Sequence, residues 1–202
     1  MPAPSAPPPA IDARALAQVM ARLARADAAP WLHQEVARRM AQRLPVIRQP
    51  PANWLDWGGF IGGGAAAVQA VWPQSLRSVA EPSAALAARS RLALQAPWWA
   101  WGQARRQAGQ AVLLLPEVPA GQAQMLWSNL GLHASTDLAA TLRQWQQALA
   151  VDGFVMFSSF GPDTLRELRA VYAGLGWPAP HHPLPTCTTS ATCWCTAALP
   201  TR

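Results

Sequence analysis

Lysine is absent from this 202-residue chain, so all 16 of its basic residues are arginines. Cysteine is absent from the first 186 residues; Cys187, Cys193 and Cys195 all fall in the last 16. There is one tyrosine, and no apolar run approaches the roughly 20 residues needed to span a bilayer. The start, MPAPSAPPPA, lacks a basic segment followed by an apolar one, so it does not read as a secretory signal. A cytoplasmic chain is expected, where disulfides are unusual. Acidic residues number only 10, which leaves a net charge of +6. The arginines are scattered, paired only at Arg38–Arg39 and Arg105–Arg106, with no interleaved aromatics. That argues for genome composition rather than a nucleic-acid surface, which would gather them on one face. Neither nucleic acid nor membrane is expected as a partner.

What is present is enough for one domain: 202 residues, half of them hydrophobic. Residues 1–11 are proline-rich and expected to be disordered. Leu16, Val19, Met20 and Leu23 recur at helical spacing. PWLHQEVARRMAQRL predicts a second helix, with Pro30 in its first turn and Val36, Met40 and Leu44 on its buried stripe. From Asn53 the pattern changes to short apolar runs alternating with helical segments. NWLDW, SLRSVAEP, AVLLLP, QMLWSNLGL and GFVMFSSF read as strands. AAAVQAVW, SAALAARSRLALQ, TDLAATLRQWQQALA and PDTLRELRAVYAGLG read as helices. Ser83 is a candidate N-cap, as are Ser135 and Thr136, and Gly174 or Gly176 closes the last helix. Such alternation predicts an α/β fold with a parallel sheet covered on both faces.

Two features of the first two strands carry chemistry. WLDWGGFIGGGAAA is a strand, a glycine turn and a helix start, where backbone can approach a ligand and free N–H groups point at it. Glu81 ends the second strand, where an acid can accept hydrogen bonds from ribose hydroxyls. Asp56 ends the first strand and could hold another polar group of the ligand. A tight turn with nothing bound is the alternative.

Here the chain resembles the class I S-adenosylmethionine-dependent methyltransferases, which carry acid-x-Gly-x-Gly-x-Gly at this place. Asp56, Gly58 and Gly62 match that motif, and Phe60 stands where the middle glycine belongs. A benzyl group there could fill cofactor space, although Gly59, Gly63 and Gly64 might allow the turn to shift. Downstream, the Trp-Ser-Asn-Leu strand end at Trp127 to Leu130 resembles the malonyl-acyl-carrier-protein O-methyltransferases of biotin synthesis. So do Phe157 to Phe160 and the WLHQEVARRMAQRL helix, a likeness covering roughly residues 25–183. Gln124 lies near the place where that family has an acid before its fourth strand.

The resemblance implies a Rossmann-like class I sheet with helices on both faces, lacking its last strands, over residues 12–183. It implies S-adenosyl-L-methionine as cofactor, held by Asp56, Gly58, Gly59, Gly62, Glu81, Asn129 and Leu130. It implies an acyl carrier protein bearing a malonyl group as partner, a monomer, and His133 as a substrate contact; no catalytic residue is assigned. His181 and His182 could also touch substrate, while Trp98, Trp99 and Trp101 suit core packing or a lid. A non-catalytic relative with a binding role is the alternative, followed by a basic, nucleic-acid-associated methyltransferase.

The cysteines have a poor zinc spacing, C-x5-C-x-C, and no metal site is expected. The codons of Cys193-Trp194-Cys195-Thr196, read in another frame, necessarily give Leu-Val followed by His or Tyr. The shifted frame also permits an amphipathic run ending in Gly-Phe, similar to the segment after the family's fifth strand. Residues 184–202 are therefore expected to be an out-of-frame, unstructured tail, against the alternative of a genuine threonine-rich one. On that reading, deleting residues 184–202 leaves the melting transition nearly unchanged, with or without zinc. A tail that resists proteolysis, or unfolding sharpened by zinc, overturns it.

Overall fold

The computed structural model describes residues 11–94, 111–161 and 163–180. The expectations for the N-terminal ten residues, Trp98, Trp99, Trp101, His181, His182, the cysteines and the tail lie outside these. Five strands form one fully parallel sheet: β1 (Asn53–Trp57), β2 (Leu76–Glu81), β3 (Val112–Leu114), β4 (Ala123–Asn129) and β5 (Leu149–Ser158). Their spatial order is β3-β2-β1-β4-β5. The chain therefore winds outward from β1 in one direction and then in the other. The reversal lies between β1 and β4, where open α/β sheets place their ligands.

The strands alternate as the two-residue period requires. On one face Trp54, Met125 and Trp127 pack with Val68 and Trp72. These come against α2 (Trp31–Ala41) and α4 (Ala65–Val71), with Ala37, Ala41 and Leu44 in the same cluster. On the other face Leu55, Trp57, Ala80 and Leu126 meet Leu142 and Trp145 of α6 (Leu138–Ala148). Five tryptophans are thus buried, and they supply much of the core's apolar area. α5 (Ala84–Leu94) lies against β2 and β3, and α7 (Arg166–Gly174) follows β5.

Several local expectations are corrected. α1 (Ala13–Leu23) is capped by Asp12, whose carboxylate accepts from the N–H groups of Arg14 and Ala15. Pro30 is the residue before α2 rather than part of its first turn. The stripe that α2 buries most deeply is Ala37 and Ala41, with Val36 and Met40 half-buried, because the small side chains let the helix approach the sheet. The glycine turn contains one short helical turn, α3 (Gly59–Gly62). The helix after β4 is opened by Asp137, which accepts from the Ala140 N–H at 2.8 Å, and not by Ser135 or Thr136. Those two belong to the preceding turn, where the Ser135 hydroxyl lies 2.7 Å from that of Thr141. The last helix starts only at Arg166, after Leu165 in a left-handed conformation. Ser83 does cap α5, accepting from the Leu86 N–H at 3.3 Å.

One contact fixes how closely α4 approaches the sheet. A methyl group on Gly64, at the head of α4, would overlap the buried Trp127 indole. Gly64→Ala is therefore expected to destabilise the chain by about 1–3 kcal/mol through overpacking, read as a lower urea midpoint. Combined with Trp127→Phe, the two losses should be less than additive. Full additivity would show that the contact is absent.

Candidate functional site

A cavity of about 370 Å³ opens at the carboxyl ends of β1, β2 and β4. Trp57 and Gly58 enter it from β1, Glu81 from β2, and Asn129 and Leu130 from β4. Gly62 lines it from the glycine turn, and His133 from the turn after β4. Leu16, Val19, Met20 and Leu23 of α1 close one side with the apolar stripe read from their spacing. Among the site residues expected from sequence, Gly58, Gly62, Glu81, Asn129, Leu130 and His133 are thus gathered together. Asp56 and Gly59 are not.

Asp56 sits beneath the turn, 1% exposed. Strand alternation puts it on the same face of β1 as Trp54, while Arg77 rises from the neighbouring strand. The guanidinium of Arg77 holds Asp56 Oδ2 through Nε at 2.9 Å and Nη2 at 2.7 Å, and lies over the Trp54 ring. Asp56 is therefore bound to a protein cation rather than turned to a ligand. Burial pushes its carboxyl above the usual range, and Arg77 opposes that shift. Gly59 lies directly on this ion pair, with no room for a Cβ. Gly58 begins the turn at φ +70°, a conformation that suits glycine.

Phe60, the departure from the glycine pattern, does not fill the cavity. Its ring packs under the Arg89 guanidinium, 5.1 Å away, and is not among the cavity's lining groups. Its backbone N–H donates to Glu81 Oε1 at 2.8 Å, and the Ser90 hydroxyl donates to the same oxygen at 2.6 Å. Glu81 Oε2 is buried and has no hydrogen-bond partner. This is an orphaned acceptor on a cavity wall, and a hydroxyl-bearing ligand would satisfy it. Burial pushes the Glu81 carboxyl up to about 7; Ser90 and Phe60 pull it down, the Asp56 charge adds to the rise, and Arg77 opposes it.

Asn129 is fully engaged. Its Nδ2 donates to the carbonyls of Gly62 at 2.6 Å and His33 at 2.7 Å, and its Oδ1 accepts from the Ser158 hydroxyl at 2.7 Å. It lines the cavity as a positioned surface and has no amide hydrogen left for a ligand. Leu130 follows in a left-handed conformation, φ +49°, held by its N–H to Ser158.

His33 went unrecognised as a cavity residue in the sequence. Its place was legible: it lies three and four positions before Val36 and Ala37, on the inward stripe of α2. Burial lowers the pKa of His33, a hydrogen bond to the Ile61 backbone opposing it. Burial also brings His133 down to about 4, with the charge of His33 adding to the shift.

The raised pKa of Glu81 ties stability to pH. From the ordinary value of 4.5 to about 7, the unfolded chain has released a proton that the native chain retains. Stability should therefore fall as pH rises through that window, by on the order of 3 kcal/mol at most. It should be insensitive to this group at lower pH. Urea midpoints at pH 5 and pH 7.5 measure the drop, which Glu81→Gln should reduce. An equal drop in the variant would remove Glu81 as the cause.

No protein-family model matches the chain. It is 37% identical over 157 residues to the "Malonyl-[acyl-carrier protein] O-methyltransferase" of Laribacter hongkongensis, covering 74% of this chain and 51% of that protein. It is 33% identical over 168 residues to the protein of that name from Gallionella capsiferriformans, covering 82% and 57% respectively. The chain thus spans about half the length of these curated relatives. Among solved structures, the fold is similar to that of PigF with SAH, at a TM-score of 0.59 and 14% identity, covering 93% of this chain and 55% of that one. An S-adenosylmethionine-dependent methyltransferase from Mesorhizobium loti matches at a TM-score of 0.51 and 19% identity, covering 77% and 80%. The parallel sheet, with its glycine turn and its acid at the end of β2, together with these likenesses, makes the chain a class I methyltransferase-fold protein related to the malonyl-[acyl-carrier protein] O-methyltransferases.

Proposed function

We propose that the chain methylates the free carboxylate of a malonyl group carried on an acyl carrier protein, with S-adenosyl-L-methionine as donor, in biotin synthesis. The observation that carries this reading is the buried, unpartnered Oε2 of Glu81 on the cavity wall, beside a glycine turn at the sheet's reversal. On this reading Glu81 accepts from the cofactor's ribose hydroxyls. Gly58 and Gly62 let backbone approach it, and Asn129 and Leu130 support its methionine end. Asp56 and Gly59 act from below, by fixing the turn. When bound, the cofactor supplies an electrophilic methyl group on a positively charged sulfur.

A carboxylate acceptor is already ionised at neutral pH and needs no general base. The protein's own task is to hold donor and acceptor in line and to keep water out. The apolar stripe of α1 over the cavity serves that exclusion, and His133 stands on the acceptor side. One domain over residues 12–183 would carry this activity in the cytoplasm as a monomer, without nucleic acid or membrane. Among the described residues, no helix is long and apolar enough to cross a membrane.

Titration calorimetry with S-adenosylhomocysteine tests the reading. Hydroxyl donors favour the charged form of Glu81, so affinity should rise with pH until about 7, where the free carboxyl titrates, and then level off. Glu81→Ala should weaken binding roughly tenfold or more, the usual cost of hydrogen bonds to a charged acceptor. Absence of any binding at high micromolar ligand would rule out the enzyme reading for this chain.

A further inference from the structure

Among the described residues, the titratable side chains lining the cavity are His33, Glu81 and His133, and no arginine joins them. A cavity that receives an anionic acyl group therefore offers it no cationic side chain from these residues. Two imidazoles are available instead, one from α2 and one from the turn after β4. In both, Nδ1 is sealed from solvent and has no hydrogen-bond partner. A proton on a sealed Nδ1 would be a stranded donor, so the neutral ring carries its proton on Nε2. We propose that His33 and His133 form a carboxylate subsite in which two neutral imidazoles, each protonated on Nε2, hold the anionic end of the acyl substrate.

The surrounding structure places both rings. The Phe160 ring packs on His133, with centroids 4.6 Å apart. The carbonyl of His33 accepts from Asn129, whose other amide hydrogen goes to Gly62 in the glycine turn. Acceptor side and cofactor turn are thereby fixed to one amide. Neutrality suits the chemistry. With its pKa held at about 4, a protonated His133 would be as strong an acid as the carboxylic acid it faces. It would share its proton with the carboxylate and blunt it as a nucleophile. A neutral N–H holds the anion and leaves a lone pair free. An acyl group without the terminal carboxylate leaves both N–H groups unanswered, which gives the subsite its selectivity. Glu81, the remaining ionisable group on the wall, belongs to the cofactor side, and this inference rests on that methyltransferase reading.

The test uses the full chain labelled with 15N-histidine, a malonyl thioester of N-acetylcysteamine, and the acetyl thioester as control. Long-range 1H–15N spectra should show both rings neutral, with the proton on Nε2, down to about pH 5.5. The malonyl thioester should shift both rings, and the acetyl thioester neither. His33→Phe and His133→Phe should each weaken malonyl thioester binding tenfold or more, with S-adenosylhomocysteine affinity kept within about twofold. His133→Gln, which retains an N–H donor, should recover most of the loss. A proton on Nδ1, shifts by neither thioester, or equal shifts by both overturn the subsite, and these wild-type readouts stand even where a variant fails to fold. Failure of the wild type to bind S-adenosylhomocysteine removes the methyltransferase reading instead, and the two failures are read from different ligands.

Discussion

The side-chain amide of Asn129 is the interaction on which the site's geometry depends. It stands at the end of β4, and its three hydrogen bonds reach three other parts of the fold: α2 through His33, the glycine turn through Gly62, and β5 through Ser158. Each bond is made inside the protein, where an unanswered polar group is costly. The glycine turn therefore cannot move relative to β4 without stranding donors. Ser158 passes the constraint on, since its hydroxyl also lies 3.0 Å from the Leu130 N–H and holds Leu130 in a left-handed conformation. One amide, not a hydrophobic contact, sets the spacing between the two sides of the cavity.

Below the turn, a second constraint acts in parallel. The Asp56–Arg77 pair is buried between strands, and its desolvation leaves little net stability to claim. Its role is geometric: it fills the space under Gly59 and sets the height of the turn. The same cluster raises the carboxyl of Glu81 through the charge of Asp56, so the structural acid tunes the exposed one. A motif read as one acid contacting a ligand is, in this chain, a division of labour between two.

Most of the sheet was legible because strand period, glycine turn and terminal acid are local signals. The five strands, the helices between them, and the positions of Glu81, Gly58, Gly62 and Asn129 all follow from spacing. Asp56 was misplaced because a sequence does not show which face of β1 meets Arg77; that depends on the register pairing Trp54 with Arg77. The effect of Phe60 was misjudged for the same reason. Its ring direction is set by Arg89, some thirty residues away, and not by its neighbours. The N-cap at Asp137 was missed in a run of Ser, Thr and Asp, where every residue can cap and tertiary packing chooses one. His33 needed only the helical stripe to be extended one turn back.

The tryptophans give the molecule an optical property. Trp57 and Trp145 meet edge to face, with centroids 6.1 Å apart, on the cavity wall. Two indoles that close share their excited states, so they contribute a paired circular-dichroism band rather than two independent ones. Trp54, Trp72 and Trp127 lie on the opposite face of the sheet, away from that pair. A molecule entering the cavity perturbs the coupled pair and leaves the other three as an internal reference. The fold thus contains its own chromophore for occupancy, placed there by the packing of α6 against β1.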